Sequence, residues 1–406
     1  MGEIVLSSKI ISFTILVLAF TSCRTVSPRA VSDLRHDPTG EKVKIMEAVS
    51  DLTDLYVFPS ANKPGHIALV LNTETLPGEQ SFFSDRVNYI FYLRELKTER
   101  QGSDTKVKAR DFGEKVIMCW FQTPKELSKH RGSCSLPRLG EVSGKFGEVI
   151  TTNKVGFYHG IRRDSYVANL DVARKALGKQ KSLLSAKKSA TRANVLSIVL
   201  EFNLEEIFGR TVKLVGIAAQ SYTTANDGRQ KSLDRIGRPG VDMFVADDST
   251  KDAATFGLFK AERPFETSET NRLAYRDRAM ERLTKVDGFD QKNDWDEASK
   301  SVLADLLVDD YLIIDAGKSD KKSGLFAIED GLLNKKELSS FGGRALAEDS
   351  FGAFLKFLVS RTLPLESVSV TPPKNSPKFP YLDEADLQWQ GGESLEQSRP
   401  RISLTD

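Results

Sequence analysis

Four aspartates, two arginines and one histidine carry most of the chemistry this chain could do. Asp54, Asp164, Asp171 and Asp242, with His36, are the candidate oxygen and nitrogen donors, and Arg162 and Arg235 lie in the same short motifs. Gathered in one place, the carboxylates would suit a hard cation such as calcium, which takes about six to eight oxygen ligands. The arginines allow another arrangement, in which Arg162 or Arg235 makes bidentate, charge-assisted bonds to Asp54 or Asp164 and braces long loops across a sheet. Buried charges cost several kcal/mol unless paired, so a large β protein would use such a brace where its loops cross. The sequence favours the brace: it has no Asp-x-Asp-x-Asp-Gly loop, and Arg163 and Asn169 dilute negative charge where a cation would need it. It calls for no cofactor beyond that candidate cation.

Catalytic signatures are absent from the sequence. It contains no Gly-x-Ser-x-Gly elbow, no His-Glu-x-x-His and no phosphate loop. His159 beside Tyr158 could serve as a general base, but a lone histidine at a strand end more often has a structural role. A binding or scaffolding module is therefore the leading expectation, with a metal-dependent hydrolase built on the Asp/Arg/His cluster as the alternative.

The elements that must position these residues read as mainly β. From residue 50 to 220, apolar runs alternate with Gly, Pro, Asn and charged turns: LYVF, HIALVLN, VNYIFYL, KVIMCWF, EVITT, NVLSIVLEF and VKLVGIAAQSY. No βα alternation links them, which predicts antiparallel pairing in a large sandwich or barrel-like domain. Arg235, Gly237, Pro239 and Asp242 read as a charged turn before an apolar strand. After about residue 247 the pattern turns helical, with TSETNRLAYRDRAMERLTKV, DWDEASKSVLADLLVDD and RALAEDSFGAFLKFLVS as helical insertions toward the C-terminal half. The stretch from Val172 to Arg192 holds seven Lys or Arg and no acid, as a solvated connector would. Pro, Ser and Glu dominate from Pro372 onward, and residues 386–406 read as a disordered tail.

Composition limits the partners. With 58 basic and 56 acidic residues the net charge is +2, which leaves no electrostatic footprint for nucleic acid. The run IISFTILVLAF is about half of the roughly 20 apolar residues needed to cross a bilayer, and it follows Lys9 and ends in TSC. That is the layout of an export signal over residues 1–22, and the Ser-Cys junction resembles a bacterial lipobox with Phe20 in place of the usual Leu. The expected product is a chain acylated at Cys23, tied to the lipid bilayer through a tether over 23–32 and displayed in the cell envelope. Arg24 offers no retention-type Asp, which favours the outer membrane or its periplasmic face in a Gram-negative host, where an envelope protein could be a further partner. Outside the cytosol, Cys119 and Cys134 could couple as a disulfide; two separate thiols, one beside Trp120, is the other reading.

Several motifs in order resemble the bacterial exported domain-of-unknown-function family 4331. DLTDLYVF is similar to the family's DITDLYAF-type opening, and Gly160, Arg162, Asp164 and Tyr166 match its Gly-x-Arg-x-Asp-x-aromatic signature. Arg235, Gly237 and Pro239 match an Arg-x-Gly-x-Pro turn. Gly343, Arg344, Leu346 and Asp349 resemble a Gly-Arg-x-Leu-x-x-Asp element, and FPYL resembles the closing motif. The resemblance covers about 33–385 and implies a cell-envelope role without naming an activity.

Overall fold

The structure, a computed structural model, describes residues 48–75, 77, 81–101, 104–109, 113–122, 129–166, 194–224, 228–245, 253–287, 293, 295–358 and 375–386. Cys23, His36, Asp171, the leader, the tether, the basic stretch 172–192 and residues 387–406 lie outside them.

The chain is mainly β, built on two antiparallel sheets that do not close into a barrel. The first sheet contains β1 (Leu52–Pro59), β2 (His66–Thr75), β10 (Asn194–Asn203), β9 (Val155–Arg163) and the short β8 (Ile150–Thr151), in that spatial order. The second runs β12 (Gln230–Ile236), β11 (Leu214–Thr224), β3 (Asn88–Gln101), β5 (Lys115–Gln122), β6 (Arg131–Leu136), β7 (Gly140–Lys145). β3 is long enough to pair with β4 (Asp104–Ala109) beyond the end of β5, and β11 likewise pairs with β13 (Leu312–Asp315) beyond β12.

Alternate residues of the two sheets share one core. Leu55, Leu69, Ile198 and Phe157 of the first meet Tyr89, Phe91, Ile117 and Ile217 of the second. The outward faces are also covered. Tyr56, Val70, Tyr158 and Val199 pack beneath Tyr381 and Leu382, while Leu96, Leu214 and Ala218 pack with Tyr311 and Ile328. Burial on both faces explains why the central strands are nearly continuous apolar runs instead of alternating patterns.

Helices add to this core. They are α1 (Leu204–Phe208), α2 (Asp242–Val245), α3 (Ala253–Ala261), α4 (Glu269–Asp287), α5 (Glu297–Val308), α6 (Ala327–Leu333) and α7 (Ser350–Leu358). Asn203 caps α1, accepting from the Glu205 and Glu206 amides, and Asp296 caps α5 through the Ser299 amide. Tyr275, Ala279 and Leu283 of α4 and Leu303 and Leu307 of α5 join the inter-sheet core. Among the described residues no helix is long and apolar enough to cross a membrane.

Three local expectations need correction. The segment after the RIGRPG turn is the helix α2, not a strand, and Arg235 lies within β12 ahead of the turn. Of EVITT, only Ile150–Thr151 is strand. The helix expected from Arg344 begins only at Ser350, because the backbone of Arg344 is hydrogen-bonded to β1.

Candidate functional site

The element Gly342-Gly343-Arg344 ties the two sheets together. Both amide and carbonyl of Arg344 bond to Val57 of β1, at 2.9 and 3.0 Å, and the Gly343 amide donates to Ile313 O of β13 at 2.8 Å. Only glycine fits before the arginine. The two residues have φ of +76° and +65°, and a Cβ would stand 2.4 Å from Ile313 O at Gly342 and 2.3 Å from Val57 O at Gly343.

This backbone seat drives the Arg344 side chain into the protein, where it is fully buried. Its guanidinium lies 4.1 Å from the Tyr56 ring centroid, Nε donates to Ser350 Oγ at 2.7 Å, and Nη1 donates to Leu55 O at 3.4 Å. Nη2 stands 2.7 Å from Asp54 Oδ1, out of line for a hydrogen bond, so this contact acts as an ion pair. Burial opposes the charge on Arg344, but Tyr56 and Asp54 outweigh it and hold the guanidinium above its ordinary pKa. Burial, followed by the nearby Asp54 carboxylate, pushes the Tyr56 hydroxyl well up.

Asp164 joins the same region from β9's end. It accepts from the Tyr166 amide at 3.0 Å and from Asn72 Nδ2 at 3.5 Å, and Asn72 in turn accepts from Ser197 Oγ at 2.8 Å. Ser165 accepts from the Ala347 amide at 2.9 Å and bonds to Asn375. The opening motif, the central motif and the Gly-Gly-Arg element therefore meet. A brace does exist here, but Arg344 supplies its cation, where Arg162 or Arg235 was expected. Among the described residues no group of three or more His, Cys, Asp or Glu is placed to hold a metal.

The remaining predicted residues go elsewhere. Arg162 stacks on Tyr158 at 4.4 Å, next to Arg163, whose amide bonds to Asp383 O. Asp242 pairs at 3.2 Å with Lys260, which also meets Asp234 at 2.9 Å. Burial works against the Lys260 charge, yet Asp234 and Asp242 raise its pKa above the ordinary lysine range. Arg235 is buried against Phe259 at 3.9 Å, and its Nε and Nη1 have no hydrogen-bond acceptor. His159 is fully buried in an aromatic cluster, with its ring centroid 5.2 Å from that of His130. Cys119 and Cys134 are bridged between directly paired positions of β5 and β6.

Three groups escaped the sequence reading. Arg238, in the turn that follows β12, is the arginine that is fully engaged: it pairs with Glu329 at 2.8 Å and donates to Leu306 O and Asp309 O at 3.1 and 2.6 Å. Gly237 is required beside it, since a Cβ would stand 2.3 Å from Asp310 O. Lys260 sits in the last turn of α3 with no motif to mark it. Finally, Tyr381 of FPYL reaches Glu201, which also accepts from Ser60 Oγ at 2.6 Å and pairs with Lys63 at 2.8 Å. The FPYL motif was the available signal for that last contact, which fastens the C-terminal segment over the first sheet.

No family model, curated protein or solved structure matches this chain.

Proposed function

We propose that this protein is an exported, lipid-anchored scaffold of the bacterial cell envelope, related to family 4331, that presents a rigid β body for binding from the membrane. One observation carries the reading. The charged motif residues with a resolved ion pair close on other parts of the same fold, as in Asp54 with Arg344 and Asp242 with Lys260, so the motifs brace the body instead of arming a reaction centre. The bridged Cys119–Cys134 pair supports an oxidising compartment. The leader and the TSC junction support acylation at Cys23, since two or more acyl chains give lasting anchorage where one is reversible.

The test is expression of the full chain in a bacterial host. Mass spectrometry is expected to find acylated Cys23 as the new amino terminus, and Cys23→Ala should release the protein from the membrane fraction. A purified chain that retains Met1, or that is soluble without acyl groups, overturns the anchor. Stoichiometric metal in the purified protein, with a melting temperature lowered by chelator, would replace the scaffold with the metal-dependent alternative.

A further inference from the structure

The cover over the outward side of the second sheet stops short of its β6–β7 end. Ile90, Tyr92 and Tyr222 are buried beside Phe265, whereas on β5, β6 and β7 the residues that alternate with the core-facing ones are half-buried or exposed. Register sets them in rows across the three strands. Trp120 stands opposite Ser133 and Ser133 opposite Ser143, and the row beside it is Gln122, Arg131 and Lys145.

Two features of this face point to a ligand. Trp120 is half-buried and its indole N–H meets no acceptor among the described residues, unlike the buried Trp295, which donates to Leu358 O. Arg131 and Lys145 are exposed like charges placed directly opposite each other, a destabilising arrangement, and among the described residues neither side chain meets a carboxylate. An anion between them removes the repulsion. Two acids lie in the neighbourhood. Glu141 shares the face but is four residues along β7 from Lys145, about 14 Å away. Glu148 accepts from the Lys145 amide at 2.8 Å, and its Oε2 stands 3.7 Å from the Cβ position of core-facing Gly144, on the other side of the strand.

We infer that this face binds an acidic saccharide, with a pyranose ring stacked on Trp120 and its carboxylate between Arg131 and Lys145. The C–H bonds of a sugar ring suit the negative face of an indole, and Ser133, Ser143 and Gln122 offer hydroxyl and amide partners to sugar hydroxyls. The two rows are about 7 Å apart along the strands, the scale of one sugar and its substituent. A membrane is a poorer fit, because the indole sits among short side chains on a sheet face and does not project as a wedge. The inference rests on the binding half of the proposed function and gives it a ligand class. It fails independently of the anchor, because its test does not involve Cys23.

The experiment is saturation-transfer NMR on the purified folded chain, titrated with tetragalacturonate and with neutral maltotetraose. Transfer to the uronate ring protons is expected, with maltotetraose at least about tenfold weaker for want of the charge-assisted bonds. Trp120→Ala should weaken tetragalacturonate at least about tenfold. Arg131→Gln should do the same without lowering the melting temperature, since it relieves a like-charge pair, and it carries the test if Trp120→Ala does not fold. Absence of transfer from the unaltered protein, or unchanged affinity in either folded variant, overturns the inference. Glycerol phosphate binding as tightly as tetragalacturonate, and unaffected by Trp120→Ala, would assign the two cations to a lipid headgroup and overturn it as well.

Discussion

Replacing Arg344 by Met should be among the most damaging single changes outside the apolar core. The side chain is fully buried, and its partner Asp54 is 7% exposed, so solvent screens the pair very little. Removing one member of a buried ion pair leaves the other charged and desolvated, at a cost of about 3–5 kcal/mol. Asp164 adds a second carboxylate to the same region, which places the expected loss toward the upper end. Asp54→Asn should cost a similar amount by stranding the guanidinium. The double variant should lose clearly less than the two single losses together, because residues in contact couple by about 0.5–3 kcal/mol. Arg163 and Asp383 supply the control: their pair is 3.7 Å long and 25% and 33% exposed, so Arg163→Met should cost less than about 1 kcal/mol. Equilibrium urea unfolding followed by tryptophan fluorescence reads all four variants. A loss below about 1 kcal/mol for Arg344→Met would refute the brace, as would additivity of the two single changes.

Further outcomes follow from other parts of the fold. Burial lowers the His159 pKa to about 3 and also lowers that of His130, so the unfolded chain binds more protons than the native one below pH 6.5. Stability should therefore be full above pH 6.5 and fall as pH drops toward 3, by about 1.4 kcal/mol per pH unit from His159, with His130 adding to the loss in the same direction; urea midpoints between pH 7 and 4 test this, and His159→Phe should flatten the curve. Breaking the disulfide with Cys119→Ser and Cys134→Ser, which opens a loop of sequence separation 15, should cost about 3 kcal/mol. The melting temperature of that variant should not respond to a thiol reductant, whereas that of the parent should fall. Gly343→Ala forces a Cβ to within 2.3 Å of Val57 O at φ +65°, and should lose at least about 1 kcal/mol on thermal melting.

The parts of this architecture that can be read in the sequence are those whose cause is local. β2, β10 and β11 are apolar almost throughout because both of their faces are covered, and a run such as NVLSIVLEF has few other uses. β6 and β7 are harder to read. RGSCSL and GEVSGK are made of Gly, Ser and charged residues, and they become strands because β5 offers a partner and the disulfide fixes the register. RALAEDSF has helical composition, yet its first residues are held extended by the free edge of β1, a tertiary demand that outweighs propensity.

The same distinction governs the site. Spacing identified Asp54, Asp164, Arg235 and Asp242 as residues set in turn-rich motifs, but an ion pair depends on which elements the fold brings together. Leu55 and Arg344, bonded through Nη1, are 289 positions apart, and nothing near either one names the other. The usable signal was the glycine pair before Arg344. Two consecutive glycines ahead of a charge mark a backbone that must pass close to other backbones, and a long cation carried on such a backbone is driven inward, where it has to meet an acid. By the same reasoning Gly237 marks the approach of the turn to Asp310. The arginine immediately after it, Arg238, is the one fully engaged there, while Arg235, one residue before β12 ends, is buried against the Phe259 ring.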